Sequence, residues 1–122
     1  MSIRQHFERE IEKLQADVLL LGSMVEKAIL DSVDILQRRD LDAARQLVAD
    51  DRLINEKRLA IEDNCLALIA MQQPMASDLR TLASILEIAT ELERMGDYGK
   101  GIARITLMLA DEPLTFPLHD ID

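Results

Sequence analysis

The stretch FEREIEKLQADVLLLGSMVEKAILDS, Phe7 to Ser32, decides the fold. Within it Phe7, Ile11, Leu14, Val18, Leu21, Val25, Ala28 and Ser32 recur at alternating steps of four and three. That spacing is the period of 3.5 of a helix with one apolar seam, and a strand would need a period of two. No proline interrupts the chain before Pro74, so the helix can be long, and it is expected over Ile3 to Arg38. The longest aliphatic run, Val18 to Leu21, is closed by Gly22 and flanked by Asp17 and Glu26, far short of the roughly 20 residues that cross a bilayer.

Downstream, Arg38-Arg39-Asp40-Leu41-Asp42 sets cations at a helix C-terminus and supplies an aspartate to cap the next helix, which predicts a tight reversal. The second seam reads Ala44, Leu47, Asp51, Ile54, Arg58, Ile61, Cys65 and Leu68. Charge at Asp51 and Arg58 is unusual for a plain core and marks both residues for scrutiny. Gln72-Gln73-Pro74 ends this helix, because proline disfavours helical backbone in the residue before it and has no amide to donate. A third helix is expected from about Pro74–Ser77 to Ala110, with a stripe of Ile85, Ile88, Leu92, Met95, Gly99 and Ile102.

The expected architecture is all-α: an elongated antiparallel three-helix bundle, up-down-up, each helix on the order of 50 Å long at 1.5 Å per residue. Its core is expected to include Val18, Leu21, Ile54, Ile61, Leu82, Ile88 and Leu92. Residues 1–112 form the domain. Residues 113–122, from Pro113-Leu114-Thr115-Phe116-Pro117-Leu118 to the acidic end, read as a linker or tail.

Composition narrows the function. Apolar residues make up 48% of the 122 and aromatic ones 2%, so the core is built from aliphatic helix formers. A formal charge of -9, from 23 acidic and 14 basic residues, argues against binding nucleic acid or anionic lipid and favours basic partner surfaces. The N-terminus lacks the apolar run of a secretory signal, so a cytoplasmic location is expected. A lone cysteine, Cys65, excludes an internal disulfide and sits among Leu66, Leu68 and Ile69 as a packed thiol.

Catalytic signals are missing. His6 and His119 have no partners at metal-ligand spacing, no Glu-x-x-His pair supports a di-iron centre, and no G-x-S-x-G elbow is present. Gly96, Gly99 and Gly101 do not have phosphate-loop spacing, yet each disfavours a helix, so they call for close helix packing or room for a ligand. Beside them Glu93 and Asp97 stand one turn apart on the same face. Such a pair is either a cation clamp with oxygen ligands, or a solvated face on which Asp97 pairs with Lys100.

The strings QQPMASDLR at Gln72–Arg80 and ELERMGD at Glu91–Asp97 together resemble the signature of the PhoU family, as do LGSMVEKAI at Leu21–Ile29 and the pair Asp51 and Asn55. The similarity covers nearly all of residues 3 to 110. It implies a non-enzymatic regulator of phosphate uptake and phosphate-regulon signalling that works with the phosphate ABC transporter ATPase and a sensor histidine kinase. It further implies that the E/D-x-x-x-D motif, Glu93 and Asp97 here, binds a divalent or trivalent metal such as iron, zinc, manganese or magnesium. Asp51, Asn55 and Asp78 match further family positions that add oxygen ligands or hold helix register; Asp78 also reads as a favourable charge at a helix start, and Arg80 as a partner for a carboxylate. The family repeats this unit and this chain holds one copy. A homodimer is therefore expected, or pairing with a second repeat, through small helix-three residues Ala83, Ala89, Gly96, Gly99 and Ala103. The alternatives are an accessory protein of another phosphate transporter, a metal-dependent hydrolase using Glu93 and Asp97, and a metal-free scaffold.

Overall fold

The computed structural model describes residues 2–71 and 74–110. Three helices follow one another: α1 (Ile3–Arg38), α2 (Leu41–Met71) and α3 (Ala76–Leu109). They form the expected up-down-up bundle. The tail at residues 113–122 lies outside the described residues, as does His119.

Local chemistry sets the ends of α1. Ser2 accepts the Gln5 amide at 3.1 Å while Gln5 accepts the Ser2 amide at 3.0 Å, a reciprocal cap that satisfies two otherwise orphaned donors. At the other end Arg39 takes a left-handed conformation, φ 54°, and the amides of Arg39 and Asp40 donate to the carbonyls of Leu36 and Ile35. Asp40 then caps α2 by accepting the Ala43 amide at 3.1 Å. The reversal read from Arg38 to Asp42 is thus a left-handed residue followed directly by an N-cap.

Leu14, Val18, Leu21 and Val25 of α1 meet Ile54, Ile61 and Cys65 of α2 and Leu82, Ile85 and Ala89 of α3 in one core. Leu21, Ile61 and Leu82 are fully buried. At the far end a smaller cluster gathers Ile35, Ala44 and Ala103. Two arginines tie α1 to α3 at opposite ends: Arg4 grips Asp78, and Arg39 donates to the carbonyl of Leu109.

The seam of α3 departs from the expected one. Ile88 is 48% exposed and Met95 44%, whereas Leu82, Ile85, Ala89, Gly96, Gly99, Ala103 and Thr106 are buried. Ile85 and Gly99 of the expected stripe are buried as read, while the small residues Ala89, Gly96 and Ala103 take the buried positions in place of Ile88 and Met95. The reason is proximity. A Cβ at Gly99 would lie 3.3 Å from the backbone carbonyl carbon and oxygen of Ala28, and one at Gly96 would lie 3.4 Å from Ile54. Of the small residues expected to receive a neighbouring bundle, Ala89, Gly96, Gly99 and Ala103 therefore serve packing inside this one, and only Ala83 is exposed.

Candidate functional site

Of the polar residues singled out on α2 and α3, Asp51, Asn55, Arg58 and Glu93 lie along one seam between those helices. Arg58 is its organiser. Its Nη1 donates to Glu62 at 2.9 Å, its Nη2 donates to Asn55 at 3.0 Å, and its Nε turns toward Glu93 at 3.9 Å. That separation is an ion pair without a hydrogen bond, and the buried Nε has no hydrogen-bond acceptor. Two turns along, Lys100 reaches across to Asp51 at 3.4 Å. Seven residues back on α2 correspond to seven residues on along α3, so both contacts belong to one antiparallel register. In that register Asp97 stands level with Ile54 and Asn55.

Asp51 and Arg58, the charges found on the apolar seam, are thereby explained as cross-helix ion pairs with side chains 15% and 21% exposed. Asp97 is exposed and makes no hydrogen bond or ion pair among the described residues. The alternative in which Asp97 pairs with Lys100 does not hold, because Lys100 bridges to Asp51. Arg80 is likewise exposed and pairs with no carboxylate among the described residues.

Asp78 belongs elsewhere. It opens α3, accepts the Met75 amide at 3.0 Å, and is held by both Arg4 terminal nitrogens at 2.6 and 2.8 Å. Arg4 also lies 5.5 Å from the Phe7 ring centroid, a cation–π distance. The Arg4 hydrogen bonds, against some desolvation and with help from the Met75 amide, hold the Asp78 carboxyl below the usual carboxylate range. Fifteen residues separate it from Glu93, about 22 Å along the helix. Asp78 thus fixes the start of α3 against α1 and shares no site with Glu93 and Asp97.

Asp51, Asn55, Glu93 and Asp97 supply oxygen donors, the type that hard cations take. They are not gathered into a ready cage: no three His, Cys, Asp or Glu side chains converge on a metal position among the described residues. A cation here would compete with Lys100 for Asp51 and with Arg58 for Glu93. The donor chemistry fits a metal, and the two cations mark what it would displace. Cys65 is fully buried, and burial, reinforced by Glu62, pushes its thiol up to about 11, so it remains protonated at neutral pH.

Sequence reasoning found the carboxylates and missed their partners. Lys100 carried a signal, four residues from Gly96 on an acidic turn, but its reach to α2 depends on helix register. Arg4 carried none, since its partner is 74 residues away. A groove of about 540 Å³ between α1 and α2 was also unforeseen; Asp50 and the ion pairs of Lys27 with Asp31 and Arg38 with Asp34 line it, together with Met24, Leu47 and Ile54. No described helix is long and apolar enough to cross a membrane.

Comparison with known proteins gives consistent matches. The family model for the PhoU domain matches residues 18–106. The phosphate-specific transport system accessory protein PhoU homolog of Clostridium acetobutylicum is 38% identical over 110 residues, 89% of this chain and 50% of its own length. The corresponding PhoU protein of Escherichia coli K12 is 35% identical over 105 residues, 86% of this chain and 44% of its own. The crystal structure of the phosphate transport system regulatory protein PhoU from Streptococcus pneumoniae aligns with a TM-score of 0.82 at 34% identity, covering 94% of this chain and 55% of that one. The chain spans about half the length of the curated relatives it matches. With the matched region reaching into all three helices and containing both sides of the carboxylate seam, this chain belongs to the PhoU family.

Proposed function

We propose that this protein is a non-enzymatic regulator of phosphate uptake and phosphate-regulon signalling, acting in the cytoplasm by binding the phosphate ABC transporter ATPase and a sensor histidine kinase. The observation that carries the reading is the PhoU domain match over residues 18–106, together with relatives named as accessory proteins of phosphate transport. The groove between α1 and α2 supports it, because its apolar lining, with Asp50 and the exchangeable pairs of Lys27 with Asp31 and Arg38 with Asp34, suits a partner segment of apolar side chains whose cations can take over those carboxylates.

A divalent or trivalent metal ion, drawn from iron, zinc, manganese and magnesium, belongs to the same proposal, held by Glu93 and Asp97 with Asp51 and Asn55 opposite. When bound, it supplies positive charge between α2 and α3. The chain's own part is to present four oxygen-bearing side chains on two packed helices and to keep Lys100 and Arg58 as exchangeable counter-charges. Pairing with a second PhoU repeat, in a second copy or elsewhere, completes the proposal.

Labelled phosphate uptake in a bacterium lacking its own PhoU protein tests the regulatory role. Expression of this chain is expected to lower uptake when external phosphate is ample. Uptake unchanged by the chain, at a level of expression confirmed by blotting, would contradict it.

A further inference from the structure

The groove between α1 and α2 has defined walls and defined ends. Met24, Ala28 and Ile35 line it from α1, and Leu47, Leu53 and Ile54 from α2. Ile35 and Ile54 are buried, so the groove reaches down to the core, while Leu53 is 41% exposed at its rim. The bridge from Lys57 to Asp17, at 3.0 Å, crosses between the same helices beyond Met24 and Ile54, and the reversal at Arg39 and Asp40 closes the other end. Between these ends no ion pair crosses from α1 to α2 among the described residues. The other two helix contacts are occupied: Gly99 meets the Ala28 backbone, and Arg58 and Lys100 span α2 and α3.

Charge differs between the two rims. On α1, Lys27 pairs with Asp31 and Arg38 with Asp34, so that rim is neutral. On α2 the polar lining residues are Gln46, Asp50 and Asp51, and no cation lines the groove from that helix. Lys100 of α3 already takes Asp51, whereas Asp50 is met by the Gln46 amide at 2.8 Å and by no cation among the described residues. A cation brought by a partner therefore finds its carboxylate on the α2 side.

The walls also select the conformation of the occupant. Both are helices whose backbone groups bond within the helix, so an extended segment laid on the apolar floor would leave its own amides and carbonyls unpaired. A helix pairs its backbone internally and presents side chains alone. The walls Met24–Arg38 and Ala43–Ile54 rise about 21 and 16 Å, room for about three turns. That length takes apolar anchors at i, i+4 and i+7.

We propose that this groove docks an amphipathic helix of a partner protein, its apolar stripe seated on Leu47, Leu53 and Ile54 and its lysine or arginine side chains on the flank that faces Asp50. This names the segment through which the partner binding proposed above takes place, and rests on that reading.

Photocrosslinking in the cell tests it. A photoreactive p-benzoylphenylalanine in place of Leu53 should crosslink to a helix of the transporter ATPase or the sensor kinase that carries apolar residues at that spacing and basic residues on one flank. Asp50→Lys should lower that yield at least about tenfold while the helical circular dichroism stays unchanged, because Asp50 is exposed. The same probe in place of Leu66, which lies on α2 outside the groove and is 52% exposed, should give none of this product. A crosslink at position 66 and not at 53, a product in an extended or acidic segment, or a yield indifferent to Asp50→Lys overturns the inference. Lowered phosphate uptake without a product at position 53 removes the groove and leaves the regulatory reading standing. The expected product without any effect on uptake keeps the groove and removes that reading.

Discussion

Along the contact between α1 and α3, the backbone of Gly99 approaches that of Ala28 so closely that an added Cβ would sit 3.3 Å from a carbonyl. Along the contact between α2 and α3, Arg58 and Lys100 reach across to Glu93 and Asp51. At these two places the first contact depends on an absent side chain and the second on long ones. Close apposition fixes helix separation with little tolerance, since a packed interior has no spare volume. Long charged side chains tolerate small shifts and can exchange partners. The difference assigns rigidity to the α1/α3 contact and responsiveness to the α2/α3 contact, and it places the candidate cation site on the side able to respond.

The largest effect is expected from breaking the rigid contact. Gly99→Val forces a branched side chain against the Ala28 backbone and should destabilise the fold by about 3 kcal/mol, read from urea unfolding. An unchanged midpoint would show that the helices can separate freely.

Next comes the end latch of the same contact. The folded pKa of Asp78 is depressed, chiefly by its Arg4 hydrogen bonds, so its contribution is present above the unfolded value of about 3.9 and is lost as pH falls through the lower folded value. Arg4→Met should lower the melting temperature at pH 7 and narrow the gap between melts at pH 7 and pH 3. An undiminished gap would assign acid sensitivity to other carboxylates.

Gly101 sharpens the comparison with the opposite sign. Nothing lies within 4 Å of a Cβ built there, so Gly101→Ala should stabilise the bundle by about 0.5–1 kcal/mol through helix propensity alone. Loss of stability in urea would mean that Gly101 faces something other than open space.

The smallest stability change belongs to the responsive side. Glu93→Gln with Asp97→Asn removes two like charges one turn apart, so metal-free stability should stay the same or rise by about 0.2–0.5 kcal/mol. Bound iron, zinc, manganese or magnesium, measured by elemental analysis, should fall. Equal metal content in variant and parent would leave these carboxylates as counter-charges alone.

The contrast also explains what could be read in advance. The limits of α1 were legible because its seam is made of large apolar residues and the string from Arg38 to Asp42 carries explicit capping chemistry at Asp40. The seam of α3 was misread at Ile88 because volume signals burial only where helices stand at ordinary separation. Near Gly99 the neighbouring backbone takes the space that a side chain would fill, so the small residues are the buried ones. Glu93 and Asp97 were singled out by their spacing together with the family motif, and Asp51 and Arg58 by charge on an apolar seam. Which charge meets which was not, because it depends on the register between α2 and α3.

Co-purification tests the central claim most directly. The tagged chain, recovered from cells grown in ample phosphate and analysed by mass spectrometry, is expected to bring down the phosphate transporter ATPase or a sensor histidine kinase, with charge reversal at Asp31, Asp34 and Asp50 reducing the yield. Recovery of neither protein, from a chain shown by circular dichroism to be folded, would contradict the account.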